Sequence, residues 1–263
     1  MHPMLNIAIK AARNAGRIVL NASDNIRNIR IHEKSPKNFV TNIDIEIERL
    51  IVNIIQKAYL DHYFITEESG EFGSLNSDHT WIIDPIDGTN NFIHGLPHNC
   101  ISIAMQFRGT TKLATVYNPH LNQLFIAEKG NGAQLNNLKI RTGQCNKLKL
   151  SLLSGGIKYN KDIFNSSYPE AMIQLQTKIL GLRSSGSLAL DMCYVASGYM
   201  DAMWTSRSAR IWDIAAGALI VQEAGGILCG FKGESNILDS GLFIGGNPRL
   251  VSQLTEFFMP YLI

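Results

Sequence analysis

The stretch Trp81-Ile82-Ile83-Asp84-Pro85-Ile86-Asp87-Gly88-Thr89-Asn90-Asn91-Phe92 constrains the chain most. An apolar run of buried-strand character ends in two carboxylates separated only by Pro-Ile. Pro85 fixes φ and removes a backbone donor, so the turn is rigid and both acids are held in one orientation. Two acids this close repel unless a cation sits between them. The neighbouring donors are carboxylates and main-chain carbonyls rather than His or Cys, so a hard divalent cation such as Mg²⁺ is the natural occupant. Gly88 and Thr89 open a helical segment, where backbone N–H groups suit a phosphate. Taken alone, the same residues also fit an Asx-type turn closing a strand.

Two further acidic sites argue against the isolated turn. Ile65-Thr66-Glu67-Glu68-Ser69-Gly70 puts adjacent acids at the end of a second β-like piece, and Trp212-Asp213-Ile214-Ala215-Ala216-Gly217 puts an Asp in the first turn of an Ala-rich helix. Singly, Glu67/Glu68 fits a solvated loop pair and Asp213 an N-cap. In a chain with only 17% charged residues, acids gathered at the ends of elements favour convergence on cations.

Apolar periodicity predicts a helix over 4–20 and another over 43–59, with Asp44 near the start of the second. A meander of antiparallel strands is expected next: 63–66, 80–84, 101–107, 113–117 and 123–127. The pattern loosens around 142–149, a boundary between an N-terminal α+β half (1–145) carrying most acids and a C-terminal α/β half (146–263). The second half alternates a strand at 150–153, helices at 168–180 and 187–198, a strand at 201–204, a helix at 213–224 and a strand at 242–245.

With 263 residues the chain can bury a core that needs no disulfide or zinc staple, so any metal is catalytic rather than structural. Net charge is only +2, which argues against a dedicated nucleic-acid binder. Arg27, Arg30, Lys34 and Lys37 read as a solvated loop and helix end, Trp81 and Trp212 as core anchors, and His94 and His98 as surface or supporting residues rather than ligands. The dispersed Cys100, Cys145, Cys193 and Cys229 read as reduced thiols. No signal-peptide pattern and no apolar run of about 18–20 residues occurs, so a cytoplasmic protein is expected.

Competing motifs fail on spacing. A haloacid-dehalogenase-type phosphatase needs two Asp separated by one residue, whereas two residues separate Asp84 from Asp87. There is no G-x-x-x-x-G-K-[ST], and Leu135 replaces the third glycine of a dinucleotide fingerprint after Gly130-Asn131-Gly132. Neither a G-x-S-x-G elbow nor H-E-x-x-H is present.

These motifs, together with Phe39-Val40-Thr41-Asn42-Ile43-Asp44 and Gly246-Asn247-Pro248-Arg249, make the chain resemble the inositol monophosphatase family along nearly its whole length, most closely the bacterial SuhB-type branch. The resemblance implies a layered α-β-α-β-α sandwich and Mg²⁺-dependent hydrolysis of inositol 1-phosphate or similar small alcohol phosphates, with two to three Mg²⁺ per site. It implies that Glu67, Asp84 and the Ile86 carbonyl hold one ion, that Asp84, Asp87 and Asp213 hold a second, and that Glu67 reaches a weaker third. Thr89, hydrogen-bonded toward Asp44, would help activate the water. Gly88 and Thr89 would grip the phosphate, with Asp87 and Asp213 also beside the substrate. Gly186, Ser187 and Leu188 match the alcohol-binding segment. Family members commonly carry a Glu seven residues before the Asp of Trp-Asp; Ser206 stands there. Lys34 is the nearest match to a mobile-loop lysine, and Arg210 stands where others have His or Arg. Lithium sensitivity, a homodimer, and a partner in transcription or ribosomal RNA maturation are further implications; a sugar bisphosphatase is the alternative within the superfamily.

Overall fold

The computed structural model describes every residue except 1, 27, 28, 36, 37, 157–159 and 207, and only the backbone of residues 35 and 38. Arg27 and Lys37 of the expected basic loop therefore lie outside the described residues.

Helix α1 (Pro3–Ser23) starts where the His2 ring accepts the Met4 amide and Pro3 occupies the first turn, and it buries the stripe Leu5, Ala8, Ala12, Ala15 and Val19. The polar stretch after it forms a hairpin of β1 (Ile31–Ser35) and β2 (Asn38–Thr41). Helix α2 (Asn42–Ala58) is started by a capping box between Thr41 and Asp44. Then come β3 (Tyr63–Thr66), β4 (Gly70–Gly73), β5 (His79–Asp87), the one-turn α3 (Thr89–Ile93), β6 (Cys100–Phe107), β7 (Thr110–Asn118), β8 (Gln123–Glu128), β9 (Gly132–Leu135) and β10 (Leu138–Lys139). These eight strands make one sheet in the order β10-β9-β8-β7-β6-β5-β3-β4.

The second half runs β11 (Leu152–Gly155), α4 (Tyr168–Gln176), β12 (Gly181–Arg183), α5 (Leu188–Ala196), β13 (Ala202–Trp204), α6 (Ile211–Glu223), β14 (Ile227–Cys229), α7 (Ile237–Ser240), β15 (Ile244–Gly246) and α8 (Pro248–Phe258), with a sheet ordered β12-β11-β13-β15-β14. Helix α4 stops at Gln176 rather than 180, and α8, capped by Asn247 before Pro248, was not among the expected elements.

Alternation along the large sheet sorts its side chains. Ile83, Ile103, Leu113 and Ile126 pack against α1 and α2, while the smaller Ala104, Ala114 and Ala127 face α5 and α6. Small residues there let α6 lie close; at Gly217 a Cβ would come within 2.3 Å of the Met192 sulfur on α5. The other side of α5/α6 meets the five-stranded sheet, whose outer face is covered by α4 and α8 through Tyr168, Leu175, Leu250 and Leu254. The layers are helix, sheet, helix, sheet, helix: the expected sandwich.

One expectation is corrected. Strand β3 does not join an antiparallel meander; it pairs parallel with β5, Thr66 opposite Ile83, and the meander runs from β5 to β10. Parallel pairing brings both strands to the same edge with their acidic ends side by side.

Candidate active site

The site begins with an irregularity in β5. Asp84 lies opposite Ser102 and Asp87 opposite Cys100, so three steps along β5 match two along β6. In a regular strand residues three apart point to opposite faces. The bulged step at Pro85-Ile86 restores phase, and both acids face α5 and α6. Pro85 is tolerated there because a bulge requires no ladder donor.

Helix α6 brings Asp213 to the same point from its first turn. One carboxylate oxygen from each of Asp84, Asp87 and Asp213 lies within 4.8 Å of the other two. Asp213 also serves the helix: its Oδ2 accepts the Arg210 amide at 2.9 Å. On the parallel neighbour, the Glu67 amide donates to the Ile83 carbonyl at 3.2 Å, which puts Glu67 beside Asp84. The Glu67 carboxyl reaches that of Asp84. Burial pushes Glu67 up to about 7, against the opposing pull of Lys34 and with help from Glu68 and Asp213. Asp84 is raised far above the usual carboxylate range, by burial first and then by Glu67, Asp87 and Asp213.

Such a cluster is poorly tolerated by itself. Asp84 is 1% exposed, and its Oδ1 is buried without a hydrogen bond. An orphaned carboxylate oxygen among three other acids, with no His or Cys among them, fits a hard divalent cation. Lys34 partly compensates at the outer edge, its Nζ 3.3 Å from Glu67 Oε1 and 2.6 Å from Glu68 Oε1.

Asp87 is held from the other side. Its Oδ2 accepts the Ser187 hydroxyl at 2.6 Å and the Ala189 amide at 2.7 Å, at the start of α5. Ser187 is 1% exposed, and its hydroxyl orients this acid. Ser206 is buried, in hydrogen-bonding contact with Tyr168, and its Oγ would lie 2.3 Å from a Cβ added at Gly156.

The Thr89 hydroxyl lies 3.2 Å from Asp44 Oδ1 and 3.0 Å from the Ile86 carbonyl; its single hydrogen serves one of them at a time. Asp44 is fully buried, and burial raises it despite bonds from Thr41 and Thr89. Gly88 has φ +96, and a Cβ there would stand 3.0 Å from the His98 carbonyl, so only glycine fits. Gly186, also left-handed at φ +91, packs on the Asn91 amide, and Leu188 opens α5.

Three contributors were not read from the sequence. Asn91 Nδ2 ties the carbonyls of His98 (2.7 Å) and Ser185 (2.8 Å), fastening α3 to the turn before α5. The Ala189 amide is a backbone group with no sequence signature. Asp191 accepts the hydroxyls of Ser154 and Ser185, each at 2.5 Å, and burial lifts it to about 6. His98, whose ring burial lowers its pKa, stands 3.9 Å from Asp191.

Folding thus keeps the Asp191 proton up to about pH 6, against about 4 in the unfolded chain. Across that window the native state binds more protons, so this residue's contribution to stability falls as pH rises and is fully lost above it. Asp191→Asn is expected to flatten the stability slope between about pH 4 and 6 in urea unfolding; an unchanged slope would refute the assignment.

The fold and the acid cluster together define a layered phosphatase-like protein, and comparison with known proteins makes the assignment specific. The sequence profile of the inositol monophosphatase family matches residues 1–259, and the chain belongs to that family. Among curated relatives it is 41% identical over 254 residues to the Nus factor SuhB of Escherichia coli strain K12, covering 97% of this chain and 95% of that protein. It is 40% identical over 262 residues to Nus factor SuhB of Pasteurella multocida, covering 100% and 98%. Among solved structures, the extragenic suppressor protein suhB of Bartonella henselae superposes with a TM-score of 0.93 at 32% identity, covering 98% of this chain and 99% of that one. The IMPase of Thermotoga maritima superposes with a TM-score of 0.87 at 33% identity, covering 97% and 96%. No helix among the described residues is long and apolar enough to cross a membrane.

Proposed function

We propose that this chain is a Mg²⁺-dependent phosphomonoesterase hydrolysing inositol 1-phosphate and related small alcohol phosphates. The observation that carries the reading is the convergence of Asp84, Asp87 and Asp213 within 4.8 Å, beside Glu67 and the Thr89–Asp44 pair. Glu67, Asp84 and the Ile86 carbonyl would hold one ion; Asp84, Asp87 and Asp213 would hold a second; a weaker third would reach Glu67. When bound, such ions supply positive charge for the phosphate and the leaving alkoxide and acidify water. The protein's own part is orientation. Ser187 and the Ala189 amide fix one oxygen of Asp87, which holds this acid in one orientation beside Asp84 and Asp213. The Thr89 hydroxyl, between Asp44 and Ile86, would orient an attacking water and accept its hydrogen bond. The water oxygen bonds phosphorus as the bond to the alcohol oxygen breaks, and Gly88 and Thr89 amides would receive the phosphate oxygens. Gly186, Ser187 and Leu188 would border the alcohol side, with Ser206 where other members carry Glu. The homodimer, cytoplasmic location and lithium sensitivity belong to the same proposal.

Phosphate release from inositol 1-phosphate, sugar phosphates and bisphosphates should require Mg²⁺ and be lost in Asp87→Asn. Mg²⁺-independent release, or full activity in that variant, would defeat the reading; preference for bisphosphates would favour the sugar bisphosphatase alternative.

The relatives named Nus factor SuhB favour a second reading, a role with the transcription machinery or in ribosomal RNA maturation in which catalysis is secondary. Rescue of a deletion phenotype by folded Asp87→Asn would support it, and failure to rescue would count against it.

A further inference from the structure

Helix α2 presents two buried acids one turn apart, Asp44 (0% exposed) and Glu48 (1% exposed). Residues four apart share a helix face. Asp44 reaches Thr89 at one side of the site, and Glu48 reaches the other: its Oε2 accepts the Glu68 amide at 2.8 Å. That amide belongs to the peptide immediately after Glu67. With the Glu67 amide already on the Ile83 carbonyl, the backbone carrying Glu67 is pinned by β5 on one side and by α2 on the other. Glu48 Oε1 is buried without a hydrogen bond. A half-satisfied buried carboxylate is costly for a helix that otherwise buries Ile43, Ile47, Ile51 and Ile55, and a core position alone would favour an apolar side chain.

We propose that Glu48 is a positioning residue for the metal site, holding the Glu67–Glu68 peptide so that the Glu67 carboxylate points at Asp84. The inference rests on the metal-site reading above. It makes α2 a common brace, with Asp44 setting Thr89 and Glu48 setting Glu67, so that the two sides of the cleft keep a fixed separation.

Mg²⁺ titration by calorimetry on the full-length protein tests it. Loss of a supporting partner behind a metal ligand typically weakens metal affinity about 10–100-fold, and Glu48→Ala is expected in that range. At saturating Mg²⁺ its KM for substrate should stay close to wild type, which separates ligand positioning from general damage. Glu48→Gln keeps an acceptor for the Glu68 amide and should recover most of the affinity. In a Glu67→Gln background, Glu48→Ala should cost no further affinity, because the two act as one unit. Wild-type Mg²⁺ affinity in Glu48→Ala, a Gln variant as weak as the Ala variant, or additive losses in the double variant would each overturn the proposal. If Glu48→Ala does not fold, Glu48→Asp replaces it: the shorter acid keeps its charge but withdraws its oxygens, and unchanged affinity would again overturn the role. A wild-type protein that binds no Mg²⁺ would instead remove the underlying metal reading.

Discussion

Asp84→Asn is expected to lower phosphate release by about 10³-fold or more while making the metal-free protein more stable. A loss of that size corresponds to about 4 kcal/mol of transition-state stabilisation, within what a catalytic cation supplies. Asp84 is the acid with the most to lose, since it lies in both expected ligand sets and has a buried oxygen with no hydrogen bond. The stability gain has the opposite sign for the same reason. Burial and the charges of Glu67, Asp87 and Asp213 raise Asp84, so the folded metal-free protein pays for its ionisation as pH rises above the ordinary carboxylate range. A neutral amide removes that repulsion. Thermal unfolding in chelator should therefore show a higher Tm for Asp84→Asn at neutral pH. Activity within tenfold of wild type, or a lower metal-free Tm, would contradict the role.

Mg²⁺ is expected to stabilise the wild-type protein strongly. A ligand that binds only the folded state contributes about 2.7 kcal/mol at a hundred times its dissociation constant, and a chain of this size gains roughly 2–4 °C per kcal/mol. One filled site should therefore raise Tm by roughly 5–10 °C over the chelated protein, and a second should add to it. The cause is the cluster itself: Asp84, Asp87 and Asp213 converge within 4.8 Å, beside the buried Glu67, whose outer edge meets Lys34. Calorimetry with chelator and with millimolar Mg²⁺ measures the shift, which should largely vanish in Asp84→Asn. An unmoved wild-type Tm would mean that the cluster holds no such ion.

Much of this site was legible before the fold. Periodicity placed α1, α2 and the strands from β5 to β8, because helices and half-buried strands must repeat their apolar residues at fixed spacing. The acids stood out because they cluster at element ends in a chain poor in charge, and Asp84, Asp87 and Asp213 do meet. Other features had no local signal. The shared facing of Asp84 and Asp87 comes from a register shift against β6 as well as from the rigidity of Pro85. The nearness of Glu67 comes from parallel pairing of β3 with β5, where an antiparallel meander had been expected. Ser187 and Ser206 are single small hydroxyl residues, and a hydroxyl bonds whatever the fold brings near: Asp87 for one, Tyr168 for the other.

By itself, the sequence determined the long helices α1, α2 and α6 and the strands from β5 to β8, the family to which the chain belongs, and which acids could hold a cation, since all three depend on residue type and short-range spacing. Tertiary structure alone decided which atoms face one another: the Ala189 amide on Asp87 and Glu48 on the Glu68 amide. Those contacts join residues 102 and 20 positions apart through backbone donors that every sequence contains, so only the packing of α5 and α2 against the large sheet selects them.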